Sequence, residues 1–477
     1  VQTELIIGPP GTGKTTTLLE IVDQEISQGT EEHRIAFLSF TRKAAEEARR
    51  RCNIKNPPYF RTLHSFAKDR LGLGLEEIFS GDAAKRFAEE QHLEFRNTNF
   101  FADPSYQQGG EGDTVMHVAD MMSGTRRSLN EVYEEVRPRM RYPVLQQHLK
   151  KLDLYKKKNG LFGFSDMLVE FLHCEDIPEL DVLIIDEAQD LTALQWDVFR
   201  HTAASSGAKR CWIAGDDDQA IYTWVGADVD HFISIGSKHR VLGQSYRVPS
   251  KIQAVADRVI SAVGRREKKW RARPEEGLVR RHETLRSVDL EEGEWLVLSR
   301  NNCFLTSVAD ELKRMGRLFR VRDDWAVPRK YILAAKFWES YRLTRDQSDW
   351  DKSTRGMSRR KSDLLIDSDP SEVPWEDALD KIAIGDRSLV RQCLATGEGI
   401  DGPPRITLSS IHRTKGGESQ KVLLITDITK SVADAMNRGT KWRDAEHRTF
   451  YVGVTRAREE LHLLHLGSPH FFQGLID

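Results

Sequence analysis

The residues best suited to chemistry lie close to the start of the chain. Gly8, Pro9, Pro10, Gly11, Thr12, Gly13, Lys14 and Thr15 fit the pattern G-x-x-x-x-G-K-[ST]. Glycines let the backbone curl so that several N–H groups face one phosphate chain. Lys14 brings positive charge to β- and γ-phosphates, and the Thr15 hydroxyl is a ligand for Mg²⁺. Thr16 follows directly in the same nucleotide-binding segment. A carboxylate pair, Asp186 and Glu187, ends the apolar run 182–185. In such a pair the first carboxylate supports the metal and the second orients or deprotonates an attacking water. Gln219, just beyond the apolar run 211–214, is suited to sensing a γ-phosphate. Tyr222 and Trp224 beside it offer faces for base stacking, or are two core aromatics.

These groups need elements to position them. Residues 5–7 read as a buried strand, and 16–27 carry apolar residues at helical spacing. The positive N-terminal end of that helix would face the phosphates. Residues 34–40 read as a second strand and 41–51 as a charged helix, which indicates an α/β domain with a parallel sheet. Residues 71–179 are mostly helical in pattern, interrupted by a loop-like stretch at 97–124. Their basic clusters, at Arg137, Arg139 and Arg141 and at 156–158, read either as a solvated face or as a nucleic-acid contact. Strand composition returns at 182–185 and 211–214.

From 241 a second α/β series begins, with strands at 294–299 and 318–321 and a helix at 303–315. Six basic residues surround Trp270 between Arg265 and Arg273, a pattern that fits nucleic acid or a surface loop. Residues 332–343 read as a helix, while 344–376 are polar and read as loop or partly disordered. Strands at 405–409, 421–425 and 461–464 and a helix at 443–458 complete the series, with 461–464 closing the sheet.

Composition sets outer bounds. At 477 residues the chain is too long for one ordinary core, and about two to four domains are expected. No apolar run approaches a membrane span, and no basic-then-apolar signal opens the sequence. Five scattered cysteines without a C-x-x-C pair argue against a zinc site or a disulfide framework. A net charge of −2 excludes a bulk polycation, so any nucleic acid must be held by a local channel.

Taken together, the motifs resemble those of UvrD/Rep-type superfamily 1A DNA helicases along almost the whole chain. Gly8–Thr15 is similar to motif I, Phe40–Ala45 to Ia and Thr62–Ser65 to Ib. Asp186–Asp190 resembles motif II, Gly215–Tyr222 motif III and Gln244–Arg247 motif IV. Thr407–Gly416 resembles motif V and Tyr451–Ala457 motif VI, and all stand in family order.

The resemblance implies two RecA-like parallel-sheet P-loop domains, each interrupted by an insertion, with ATP and Mg²⁺ between them. The first domain would comprise 1–70 and 180–238, with a mostly helical insertion, 1B, at 71–179. The second would comprise 239–325 and 403–477, with a reduced 2B-like insertion at 326–402. On the same reading Lys14 and Thr15 bind phosphate and metal, Asp186 supports the metal, Glu187 activates water and Gln219 senses the γ-phosphate. Tyr246 stacks on adenine, Glu418 contacts the ribose, and Arg247 and Arg456 are arginine fingers from the second domain. Thr41, Lys43, His64 and His412 touch the DNA backbone, and Tyr222 and Trp224 stack on bases.

Activity is expected as 3′→5′ translocation on single-stranded DNA with unwinding at single-strand/duplex junctions. The alternative is a DNA-stimulated ATPase that remodels or recruits proteins without processive unwinding. Partners would be single-stranded DNA and possible single-strand-binding or replication and repair proteins, in a cytoplasmic or nucleoid setting, with no membrane. Three departures accompany the resemblance. The glutamine-bearing segment that the family carries ahead of motif I is not in this sequence, Leu63 stands where an aromatic is common, and Gly416-Gly417 replaces a usual Gly-Leu.

Overall fold

The computed structural model describes residues 2–96, 110–235, 239–264, 268–321, 323–366 and 372–475. Its first sheet has six parallel strands. These are β1 (Gln2–Ile7), β2 (Ile35–Ser39), β3 (Phe60–Thr62), β4 (Val182–Asp186), β5 (Arg210–Gly215) and β6 (His239–Val241). Their spatial order is β3-β2-β4-β5-β1-β6. Every residue of β2 and β4 is buried, as expected of central strands covered by helices on both faces. Because all strands run the same way, the loop after β1 and the acidic end of β4 emerge at one edge. In open parallel sheets that edge is where ligands bind.

β7 (Gln244–Pro249) and β8 (Arg271–Arg273) form a separate parallel ribbon. The second sheet contains β9 (Leu278–His282), β10 (Trp295–Ser299), β11 (Phe319–Val321) and β12 (Asp324–Trp325). β13 (Ile406–Ser410), β14 (Ser419–Ile425) and β15 (Ala457–Leu464) complete it. The order is β12-β11-β13-β10-β14-β15-β9, parallel except for the β11–β12 pair.

Two boundary expectations change. β6 pairs with β1, so 239–241 belongs to the first sheet although the second domain was expected to begin at 239. Residues 461–464 do not close the second sheet, because β9 hydrogen-bonds along the outer side of β15.

Both insertions have cores of their own. In 71–179 the helices Gly81–Glu90, Glu111–Thr125, Leu129–Val136, Tyr142–Asn159 and Phe164–Phe171 pack around Phe87, Val118, Leu145 and Leu152. The loop expected over 97–124 is therefore a helix from Glu111 onward, while 97–109 lies outside the described residues. Asp113 holds this helix start, accepting from the backbone N–H of Gly110 at 2.9 Å and of Arg96 at 2.8 Å. The basic clusters lie on the surface or in ion pairs. Arg137, Arg139 and Arg141 are exposed, Lys156 meets Asp166 at 2.6 Å and Lys157 meets Asp153 at 2.9 Å.

The expected loop at 344–376 is also overturned where it is described, while 367–371 lies outside the described residues. Arg329–Thr344, Gln347–Ser353, Arg359–Ile366, Trp375–Ala378 and Arg387–Thr396 are helices around Trp338, Trp350, Trp375 and Leu379. Three indoles supply enough apolar area to organise an otherwise polar segment. The Trp338 indole N–H donates to the Val373 carbonyl at 2.9 Å, so its polar edge is satisfied. Among the described residues no helix is long and apolar enough to cross a membrane.

Candidate active site

The loop after β1 is tied at both ends. The Gly8 N–H donates to the Gly215 carbonyl on β5 at 3.0 Å, and the Lys14 ammonium donates to the Gly8 carbonyl at 2.7 Å. A Cβ at Gly8 would lie 2.0 Å from Lys14 Cγ, so only glycine lets the lysine fold back over the loop. Gly13, at φ 82°, turns the chain into the helix Lys14–Ser27. Its first turn presents Thr15, whose hydroxyl donates to Asp186 Oδ2 at 2.8 Å. Thr16 accepts from an Arg51 guanidinium nitrogen at 2.5 Å.

Asp186 and Glu187 sit at the end of β4 in different electrostatic settings. Burial, together with the neighbouring Glu187 charge, pushes the Asp186 carboxyl up to about 6. Burial also acts on Glu187, but the charges of Lys14 and Lys415 outweigh it and hold this carboxyl below its usual value. Glu187 has φ 57°, the left-handed region that an ordinary side chain enters at a cost. Gln189 donates to Glu187 Oε2 at 2.6 Å and accepts from the Asp216 N–H at 3.0 Å, which ties the end of β4 to the end of β5.

The second half of the chain closes on this loop directly. The Tyr246 N–H donates to the Gly11 carbonyl at 2.8 Å, and the Ser245 hydroxyl donates to the Pro10 carbonyl at 2.7 Å. Gly11 has φ +70°, and a Cβ there would come within 2.3 Å of Arg247 Cβ, so this approach requires glycine. The Arg247 guanidinium pairs with Glu418, which Arg458 also meets at 3.2 Å.

Arg456 reaches furthest across. It is 1% exposed, and its guanidinium donates to the Val452 carbonyl at 2.9 Å, the Gly417 carbonyl at 3.1 Å and Gln219 Oε1 at 2.8 Å. Burial and the Arg247 charge lower it to about 9, so it remains a cation at neutral pH. The Gln219 amide N–H donates in turn to Asp216 Oδ2 at 2.6 Å.

A cavity of about 620 Å³ joins these groups. Its walls include the loop from Pro10 to Thr16, Asp186, Glu187, Gln219, Tyr246, Arg247, Glu418 and Arg456. Gly8 and Pro9 lie behind that wall, buried. Tyr246 is 73% exposed, leaving its ring free to cover a flat ligand. Hydroxyl and carboxylate oxygens at Thr15 and Asp186 are the hard donors that Mg²⁺ takes beside substrate phosphates.

The expected nucleic-acid residues fall in different places. Thr41 and Lys43 line the nucleotide cavity, and the Thr41 hydroxyl caps its helix by accepting from the Ala44 N–H at 3.2 Å. His64 lies apart from the cavity, edge-on to Phe164 with ring centroids 5.6 Å apart. Tyr222 and Trp224 do not present open faces. They lie in a core with Ile411, Val422 and Phe450, so the core-aromatic reading holds in this conformation. The Tyr222 hydroxyl donates to the His412 carbonyl at 2.9 Å. His117, from the helical insertion, stacks on Trp224 at 6.3 Å, and His412 meets its ring edge-on at 6.2 Å. His412 is itself buried. Apolar surface from three parts of the chain meets here, and burying it covers the rings.

Several residues of the site were not assigned roles by type and spacing. Lys415 pairs with Asp190, donates to the Gln219 carbonyl at 2.6 Å and lies 3.6 Å from Glu187. Burial drives the Asp190 carboxyl up to about 7 against the pull of Lys415. Both residues, like Ser245, stand inside recognisable motifs, but their partners are 196 or more positions away for Lys415 and 235 for Ser245. Lys268 comes from the basic run around Trp270, yet it is buried against Asp216 and Asp217. Neither Lys268 nor the buried Trp270 belongs to a surface loop.

A phosphate loop and a carboxylate pair from the first sheet, meeting two arginines from the second half of the chain on one cavity, define a P-loop protein of two RecA-like domains. A model of the UvrD/REP helicase N-terminal domain matches residues 1–240, and one of the UvrD-like helicase C-terminal domain matches 377–466. The chain belongs to the UvrD/REP helicase family. It is 25% identical over 297 residues to a probable DNA helicase of Mycoplasma pneumoniae, covering 54% of this chain and 53% of that protein. It is 28% identical over 284 residues to a probable DNA helicase II homolog of Rickettsia conorii, covering 54% and 42%. It is 35% identical over 83 residues to DNA helicase II of Escherichia coli, covering 16% and 11%. The chain thus spans about half, or less, of the length of these curated relatives.

Proposed function

We propose that the chain is an ATP-hydrolysing DNA helicase that steps 3′→5′ along one strand of DNA. The observation that carries this reading is the bond between Arg456 of the second half and Gln219 of the first, beside Lys14 and Glu187. Phosphoryl transfer depends on positioned charge more than on covalent catalysis. Lys14 and the loop N–H groups bind phosphate, and Thr15 and Asp186 would hold Mg²⁺, which would supply charge neutralisation at the phosphates. Glu187, kept ionised by Lys14 and Lys415, takes a proton from the attacking water. Gln219 senses the γ-phosphate, and Arg247 and Arg456 stabilise charge in the transition state. Tyr246 stacks on adenine, and Glu418 serves the ribose once Arg247 turns to phosphate.

Arg247 and Arg456 stand across the cleft from the loop, so hydrolysis depends on closure. Closure can then be coupled to movement on a strand. The buried cluster of Tyr222, Trp224, His412 and His117 is the element we assign to that coupling, because it joins both halves and the helical insertion. His64 and an opened Trp224 would contact the strand, while Thr41 and Lys43 serve the nucleotide side. The names of the relatives, DNA helicase and DNA helicase II homolog, support DNA as the track.

The test compares ATPase rates without nucleic acid and with single-stranded DNA, duplex DNA or RNA, beside unwinding of 3′- and 5′-tailed duplexes. Stimulation by single-stranded DNA with unwinding of the 3′-tailed substrate is expected. Stimulation without unwinding, but with displacement of a streptavidin block, would leave a single-strand translocase. Stimulation with neither outcome would leave a switch that recruits partners.

A further inference from the structure

Lys268 lies in the segment that follows the first helix of the second half, Ser250–Ile260. Its side chain is only 4% exposed and reaches the 3-10 turn Asp217–Gln219 of the first half. The ammonium bonds Asp216 Oδ1 and Asp217 Oδ1 and lies 3.3 Å from Asp218 Oδ2. A charge buried this deeply persists only when it is paired. Burial works against the Lys268 charge, but the three carboxylates outweigh it and hold its pKa above the usual value.

The partners of Asp216 make the contact more than an anchor. One of its oxygens takes Lys268, and the other accepts from the Gln219 amide N–H at 2.6 Å. An amide can face either way, and its neighbours decide which. With its nitrogen committed to Asp216, Gln219 must turn its oxygen outward, where it meets Arg456 at 2.8 Å. The order in space is Lys268, Asp216, Gln219, Arg456, which crosses from the second half to the first and back. Lys268 thus reaches the edge of the nucleotide cavity from behind.

We propose that Lys268 is a positioning residue for Gln219, fixing the Asp216 carboxylate so that the Gln219 amide oxygen faces Arg456. This rests on the hydrolytic reading given above. Lys268 touches neither nucleotide nor metal. Without it Asp216 loses its charged partner and keeps on that oxygen only the Asp218 N–H at 3.3 Å, so the sensor amide is held less firmly. Arg456 then loses its one contact from Gln219, and the closed arrangement forms less often in the geometry that hydrolysis needs.

The test is a double-mutant cycle on single-strand-stimulated ATPase. Lys268→Met should lower kcat roughly 10- to 100-fold, the scale of a mispositioned catalytic group, with KM for ATP changed less than threefold. Gln219→Ala should lower kcat by at least as much, and the double variant should be no worse than Gln219→Ala alone. Additive losses, or a Lys268→Met enzyme with wild-type kcat, would overturn the proposal, since a merely structural lysine acts independently of Gln219. Should Lys268→Met fail to fold, Lys268→Met with Asp217→Asn and Asp218→Asn removes the ammonium together with two carboxylates. The same cycle then applies on that background, with the same deciding outcomes. Wild-type protein without nucleic-acid-stimulated hydrolysis would defeat the hydrolytic reading instead, which separates the two failures.

Discussion

Arg456 keeps its charge under nearly complete burial because four oxygens receive its guanidinium, the Thr455 hydroxyl at 3.4 Å among them. Three of them, two backbone carbonyls and that hydroxyl, belong to its own half, so the side chain is preset, and the fourth is Gln219 Oε1. An arginine placed this way raises phosphoryl-transfer rates by roughly 10³–10⁵. Arg456→Ala should therefore lower kcat by about 10³-fold or more while nucleotide affinity changes little, read by steady-state ATPase beside equilibrium titration of a fluorescent nucleotide. A loss below tenfold would remove Arg456 from the catalytic set. Lys14 differs, because on the proposed reading it serves bound phosphate in ground and transition states alike. Lys14→Ala should abolish hydrolysis and leave single-stranded DNA binding largely intact, as measured by fluorescence anisotropy. The proposed roles of Lys14, Asp186, Glu187 and Gln219 are suggested by type and position at the residue scale, whereas that of Arg456 is implied only by the resemblance of its motif.

At the scale of elements, the cluster where motif-bearing turns meet the helical insertion is the part that pattern alone misplaced. Tyr222 and Trp224 have polar neighbours in sequence, which suggests exposure, yet their rings pack with residues far along the chain. Trp224 Nε1 and His412 Nδ1 are buried without a hydrogen-bond partner among the described residues, which lowers the cost of opening this cluster. Trp224→Ala should destabilise the protein by about 3–5 kcal/mol, seen in denaturant unfolding, in addition to any loss of DNA affinity. An unchanged midpoint would mean that the ring is not held in the core in solution. The same cluster carries a pH signature. Burial lowers His117 to about 4, so its contribution to stability is complete above pH about 6.5. It is lost as pH falls from there through about 4. Compared with His117→Phe, the wild type should lose about 3 kcal/mol over that interval. Parallel curves for the two proteins would show that His117 titrates normally.

Across the whole molecule, the nucleotide cavity exists only because two sheets from different parts of the chain face each other. Ligand contacts from both halves should make nucleotide binding a strong stabiliser of the assembly. At a hundredfold excess over Kd, Mg²⁺ with a nonhydrolysable ATP analogue should add about 2.7 kcal/mol, visible as a rise in Tm. The segment 326–402 behaves as a packed unit. Deleting 350–375 removes Trp350 and Trp375 from its core, so a lower Tm and rapid proteolysis of the remnant are expected. A deletion variant as stable as the parent would mean that this core adds nothing to the rest.

The phosphate loop and the carboxylate pair were legible in sequence because they are local patterns whose spacing follows from backbone geometry, while the arginine was pointed to by the resemblance of its motif. The strand–helix alternation likewise prescribed two parallel sheets, since each apolar run had to be buried between helices. Only the tertiary structure decided which distant groups meet. Lys268 finds Asp216, Ser245 finds Pro10, and His117 covers Trp224, across separations that no local period encodes. The insertion at 326–402 also became legible only in three dimensions, because three tryptophans spread through a polar stretch reveal a core when helices bring them together.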